Sequence, residues 1–444
     1  MSASRLVRNS PDLARLVKDG FAVRIVNGFL VIGDVPYVDD SGQVQRGSFL
    51  CPLDLAGATT APPATHIMCF VGGTPRDHDG KPIEGLVNDG VERWSAAPDL
   101  TATCGFSQKP EGGYKDFYEK VTYYTAMVIS AAQAVDPSVH PYRFMPMQTD
   151  EDDGVFVYVD TFSSRAGITE LNDLLALEKI VIVGLGGTGA HILDGMVKTP
   201  AQTIHIYDGD FFRSHNAFRA PGAAGLDNLE AGLMKVEYFN RMYSVMRRGI
   251  VSHPVNVTAD NAAELLDASF VFLALDTGPD KKAIVEALVE NGIPFIDTGV
   301  GLSNDAGGIA GQIRITTSTP GRSDHIARDR LISYFAGADA EYDTNLQVDE
   351  INAITAKLAI MRYKKWLHFY ADVEGECHTV FVVNSGDLHH RYGISDNARL
   401  ARGNGAADEV ANEKRDPNDL VEHVRKVERP LVESAHEELG KQVA

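Results

Sequence analysis

A glycine cluster, Gly184-Leu185-Gly186-Gly187-Thr188-Gly189, closes the apolar run KIVIVG at 179–184. Glycines at this spacing permit a tight turn and the close approach of a phosphate, whose charge settles on the N–H groups that open the next helix. The following run, TIHIYD at 203–208, ends in Asp208-Gly209-Asp210 and places a carboxylate where a ribose diol would lie. Asn216 and Arg219 come next, then Lys235, and Asp276 ends a third run, FVFLALD at 270–276. An arginine forks onto phosphate oxygens, a lysine supplies a point charge, and an aspartate suits a hard metal ion. The set fits a triphosphate with magnesium better than a dinucleotide.

These residues need strands that end together and helices that start beside them. The runs at 179–184, 203–208, 270–276 and 294–299 are short and apolar. Helical stretches near 188–198, 229–248 and 280–291 alternate with them. That order predicts an α/β fold with a doubly wound parallel sheet. GGIAGQIRIT at 307–316 predicts an added strand, and 345–370 a long helix with apolar residues at Ile351, Ile354, Leu358, Met361 and Tyr363. TVFVVN at 379–384 reads as the last strand, and His389-His390 as a loop.

Upstream, residues 1–150 read as a smaller α+β domain. Ser10-Pro11 opens a short helix, and Asn27-Gly28 between two β-branched runs predicts a hairpin. A strand is expected at 66–71 and a helix at 116–134. The acidic stretch 146–154 reads as a linker, residues 160–400 as the nucleotide-binding domain, and 401–444 as a charged tail.

The pattern resembles the ThiF/MoeB/ubiquitin-activating family. The likeness rests on the glycine loop, on Asp208…Asn216…Arg219, on Lys235 and Asp276, and on Gly311-Gln312-Ile313 in the added strand. It spans residues 160–385. It implies a Rossmann-like adenylation domain in which Gly184, Gly186, Gly187 and Gly189 face ATP and Asp208 holds the ribose. Asp210 and Thr277 join the nucleotide site, Asn216, Arg219 and Lys235 contact phosphates, and Asp276 binds Mg2+. Arg165 resembles the family arginine that reaches a partner subunit's triphosphate, which implies a homodimer; read blandly, it is a solvated surface residue. Asp276 has a bland reading too, as the cap of the following helix. The family further implies a ubiquitin-like protein substrate and a conjugating-enzyme-like partner.

Two departures stand out. Thr277 replaces the asparagine that commonly follows the metal aspartate. No cysteine lies between Ile313 and Asn345, where thioester-forming members carry one. Cys51, Cys69, Cys104 and Cys377 are scattered and form no CxxC pair, so neither zinc nor a disulfide framework is expected.

The net charge is 41 − 61 = −20. Coulomb repulsion then disfavours nucleic acid and anionic lipid as partners. No apolar run suggests a membrane span or a signal peptide, and a cytoplasmic location is expected. The sequence-level expectation is therefore an ATP-dependent adenylyltransferase acting on a protein C-terminus. The alternatives are an NAD-dependent oxidoreductase, which leaves Asn216, Arg219, Lys235 and Asp276 without a joint role, and a non-catalytic nucleotide-binding subunit.

Overall fold

The computed structural model describes residues 3–147, 149, 154–305, 307–334, 346–372 and 375–392. The expected tail at 401–444, and most of the acidic stretch, lie outside them.

The N-terminal part starts with α1 (Ala3–Asn9) and α2 (Pro11–Lys18). Strands β1 (Ala22–Val26), β2 (Phe29–Val38), β3 (Val44–Pro52), β6 (Met68–Val71) and β7 (Cys104–Phe106) form one antiparallel sheet in the order β1-β2-β3-β6-β7. A two-stranded ribbon, β4 (Leu55–Ala56) with β5 (Thr59–Thr60), interrupts it. The first hairpin turns at Asn27 and Gly28, both at positive φ, as a type I′ turn demands. Helix α3 (Phe117–Val135) is capped by Asp116 and packs Phe117, Val121, Tyr124 and Val128 onto the sheet.

Two short helices follow, α4 (Thr161–Arg165) and α5 (Thr169–Asp173). The second sheet has eight strands: β8 (Lys179–Val183), β9 (Thr203–Tyr207), β10 (Ile250–His253), β11 (Phe270–Leu273), β12 (Phe295–Asp305), β13 (Gly308–Ser318), β14 (Glu376–Val382) and β15 (Leu388–Tyr392). Their order is β10-β9-β8-β11-β12-β13-β14-β15. The first five are parallel and the last three add on antiparallel. Helices α6 (Gly187–Met196), α7 (Ser214–Ala217), α8 (Leu226–Glu230), α9 (Lys235–Tyr243), α10 (Pro279–Glu290), α11 (Asp324–Asp329) and α12 (Asp349–Trp366) fill the connections.

The run at 180–183 is apolar throughout because both faces of β8 are covered. Ile180 and Ile182 pack with α6, α9 and α12, while Val181 and Val183 pack with α10. The doubly wound arrangement follows. The turn between α9 and β10 is strapped to the upstream chain: the Arg248 guanidinium donates to the Thr149 and Phe156 carbonyls at 2.7 Å each.

Four sequence expectations need correction. The helix expected at 229–248 is broken into α8 and α9, because Gly232 adopts φ +61° and the Lys235 N–H is drawn to the Asp210 carbonyl at 2.9 Å. His389 and His390 lie in β15, not a loop, and the His390 ring meets the Thr379 hydroxyl at 3.0 Å. Strand β10 carries no strong apolar run and was not anticipated. Ile354 and Met361 of α12 are exposed, at 38% and 46%; its buried face carries Asn352, Thr355, Ala356 and Ala359 instead.

Two sheet histidines make the fold acid-sensitive. Burial pushes the rings of His205 on β9 and His378 on β14 down to about 4. The unfolded chain titrates its histidines near 6.5 and takes up these protons first, so stability should be level above about pH 6.5 and fall from there toward pH 4. Thermal unfolding followed across that interval should show the decline, with a shallower slope for His378→Gln. A flat profile would refute it.

Candidate nucleotide site

The site is assembled at the carboxyl ends of the parallel strands. β8 stops at Val183, and Gly184 turns the chain at φ +87°, a conformation a side chain would strain. Gly186 then caps α6 with no side chain, so the first N–H groups of the helix stay available to an anion.

Asp208 fastens this turn to the neighbouring strand. Its Oδ2 accepts the Leu185 N–H at 2.7 Å, and its Oδ1 accepts the Asp210 N–H at 2.9 Å. Lys235, the first residue of α9, lies between the two carboxylates: Nζ is 3.2 Å from Asp208 and 2.8 Å from Asp210. Both Asp208 and Lys235 are only 6% exposed, whereas the Asp210 side chain is largely in solvent. A cation is thus held at the mouth of the glycine turn by groups that can share it with a phosphate.

Asn216 is buried in α7, where its Oδ1 accepts the Arg213 N–H at 2.9 Å. That bond fixes the short helix leading to Arg219. The Arg219 Nε is buried without a hydrogen-bond partner among the described residues. An orphaned guanidinium N–H at this end of the sheet is what a phosphate oxygen would satisfy.

Asp276 and Thr277 are exposed in the loop between β11 and α10. The helix is capped at Gly278, so Asp276 does not serve as its cap. Among the described residues no three His, Cys, Asp or Glu side chains cluster to hold a metal. The donor set suits Mg2+ only as an ion that keeps its waters and arrives with substrate phosphates, which commonly needs no more than one or two protein carboxylates. Arg165 ends α4 and is exposed. The structure brings together the glycine turn, Asp208, Asp210 and Lys235, puts Asn216 on α7 and Arg219, Asp276 and Thr277 in the adjoining loops, and leaves Arg165 on the surface.

Sequence reasoning missed the support beneath Asp276. Lys281 of α10 is buried, with Nζ 2.7 Å from the Asp297 carboxylate of β12 and donating to the Leu275 carbonyl at 3.1 Å. Burial alone pushes the Asp297 carboxyl up in pKa, and Lys281 opposes it. The pair ties the loop bearing Asp276 to the next strand. A charged residue within PFIDTG and a lysine opening a helix were its only signals.

Cys377 is remote from the turn. His378 sits level with Thr316, Asp297, Leu273 and Val183 across the sheet. Four strand spacings of roughly 4.8 Å separate β14 from β8, placing Cys377 about 19 Å from the glycine turn. It is buried, and desolvation pushes its thiol pKa up, away from the nucleophilic thiolate.

Residues 161–374 match the ThiF family, and residues 11–161 match a domain of unknown function, DUF6791. Among solved structures the chain is similar to PaaA, at 17% identity and TM-score 0.40 over 50% of this chain and 66% of that one. It is similar to E. coli MccB with AMPCPP and MccA at 16% identity and TM-score 0.40, over 50% of this chain and 66% of that one. The microcin C7 biosynthetic enzyme MccB in complex with N-formylated MccA gives 16% identity and TM-score 0.41, over 52% and 70%. The chain spans just under two thirds of the length of the first two. No curated protein matches it in sequence.

Proposed function

Since residues 161–374 form a ThiF-family domain, we propose that this chain is an E1-like, ATP-dependent adenylyltransferase. It activates the C-terminal carboxylate of a small ubiquitin-like protein as an acyl-adenylate. The observation that carries the reading is Lys235, buried at the glycine turn and shared between Asp208 and Asp210.

The turn and the first N–H groups of α6 receive the nucleotide's phosphates. Lys235 is drawn from Asp208 toward them, which opens Asp208 lone pairs to the ribose hydroxyls. Arg219 supplies its unpartnered Nε to a phosphate oxygen. The substrate carboxylate is ionised at neutral pH and needs no general base. Its oxygen forms a bond to the α-phosphorus, the bond from that phosphorus to the bridging oxygen breaks, and pyrophosphate leaves with the electron pair. The residues contribute by positioning and by neutralising charge as it shifts. Asp276 would hold Mg2+, whose chemistry is to offset phosphate charge. Arg165, exposed on α4, would act on the site of a second copy in a homodimer. A nucleophile on a conjugating-enzyme-like partner then forms a bond to the acyl carbonyl carbon, and the bond to the phosphate oxygen breaks as AMP leaves.

ATP–pyrophosphate exchange tests this. Exchange should require a ubiquitin-like protein with an intact C-terminus and vanish when its last residue is removed. Absence of exchange with every such protein, together with NAD reduction, would sink the reading. Exchange should also survive Cys377→Ser, because the thiol is buried and distant; an adduct that is thiol-labile in the wild type and missing in the variant would make Cys377 the acyl carrier.

A further inference from the structure

Helix α12 lies against α6 along a line of small contacts. Gly187 has no room for a methyl group, since a Cβ there would land on the Asn352 amide. Gly195, two turns on, meets Ile360 in the same way. Ile354 and Met361 of α12 face outward while Ile351 and Tyr363 are buried, and beside Ile351 a wholly buried amide, Asn352, meets the turn. The Asn352 Oδ1 accepts the Thr188 hydroxyl at 3.0 Å, while its Nδ2 is buried with no partner among the described residues.

Gly187 and Thr188 open α6, directly after the phosphate-binding turn. A buried amide that satisfies only one end is a poor choice for stability, because its orphaned N–H groups lose their water without gaining a partner. Local rules broken in this way cluster where the chain serves a ligand. We infer that Asn352 is a positioning residue for the nucleotide: it holds the first turn of α6 through Thr188 and Gly187, so that the N–H groups of that turn meet the phosphates in register. This rests on the reading of the glycine turn as the ATP site.

The test is ATP binding by the full chain, with thermal unfolding measured on every variant. Asn352→Leu keeps the branched outline of the side chain, with bulkier methyl ends, and removes the amide contact to Thr188. It should unfold at or above the wild-type temperature yet bind ATP about tenfold or more weakly, since small misplacements of binding groups carry large costs. A purely structural residue would move stability and leave ATP affinity alone. A size exchange gives a second readout. Gly187→Ala should lose both stability and ATP binding; adding Asn352→Ala makes room for the new methyl and should restore the unfolding temperature, while ATP binding stays weak because the amide is still absent. ATP bound as tightly as by the wild type, either by folded Asn352→Leu or by the double variant, overturns the assignment. Failure of the wild type to bind ATP overturns the adenylation reading, and this inference with it.

Discussion

Asp276→Asn should lower ATP–pyrophosphate exchange by about a hundred- to a thousandfold, the scale seen when one preorganised electrostatic contact to a reacting phosphate or carbonyl is removed. The unfolding temperature should stay at the wild-type value. Asp276 is exposed, lies beyond the end of β11 and does not cap α10, so the amide replaces it without disturbing the core. The loop itself remains tethered by Lys281 and Asp297. Residual exchange in the variant should need more Mg2+ than the wild type, because the protein's carboxylate no longer helps to hold the ion. A folded variant with the wild-type rate at the wild-type Mg2+ concentration would remove Asp276 from the mechanism.

Lys235→Met should cost both exchange and stability, and the two losses should be separable. Removing one partner of a buried ion pair leaves an uncompensated charge, at a typical cost of 3–5 kcal/mol. Asp208 retains the Leu185 and Asp210 N–H donors, so the expected loss is near the lower end, about 3 kcal/mol. The Asp210 side chain is mostly solvated and adds little. Combining Lys235→Met with Asp208→Asn removes the stranded charge and should recover most of the unfolding temperature. Exchange should not recover, since the cation that meets the phosphates is still absent. Exchange restored along with stability would reduce Lys235 to a structural residue.

The glycine turn, and the placing of Asp208, Asn216, Arg219, Lys235 and Asp276 at or just beyond the strand ends, were legible in the sequence because their positions follow from local rules. An apolar run bounded by glycines makes a buried strand and a tight turn wherever it occurs, and residues at strand ends come together once the strands are parallel. The hairpin at Asn27-Gly28 was legible for the same reason: two positive φ angles are written into two adjacent residues. The ThiF-family domain was recognisable from these signals in combination.

Only the tertiary structure decided the rest, and each case turns on partners distant in the chain. Which face of α12 goes inward depends on α6, whose Gly187 and Gly195 leave room for Asn352 and Ile360 to come against them, with Ile354 and Met361 on the exposed side. Strand β15 exists because β14 offers it an edge, and its own residues read as a loop. The Lys281–Asp297 pair joins a helix to a strand that neither residue announces. The separation of Cys377 from the glycine turn is a matter of strand order, since three strands, β11, β12 and β13, are inserted between β8 and β14 that proximity in sequence cannot count. Periodicity and turn chemistry thus determined what the elements are and where the nucleotide residues stand. Packing and strand order determined what holds those residues in place, because those depend on contacts whose partners the local sequence does not contain.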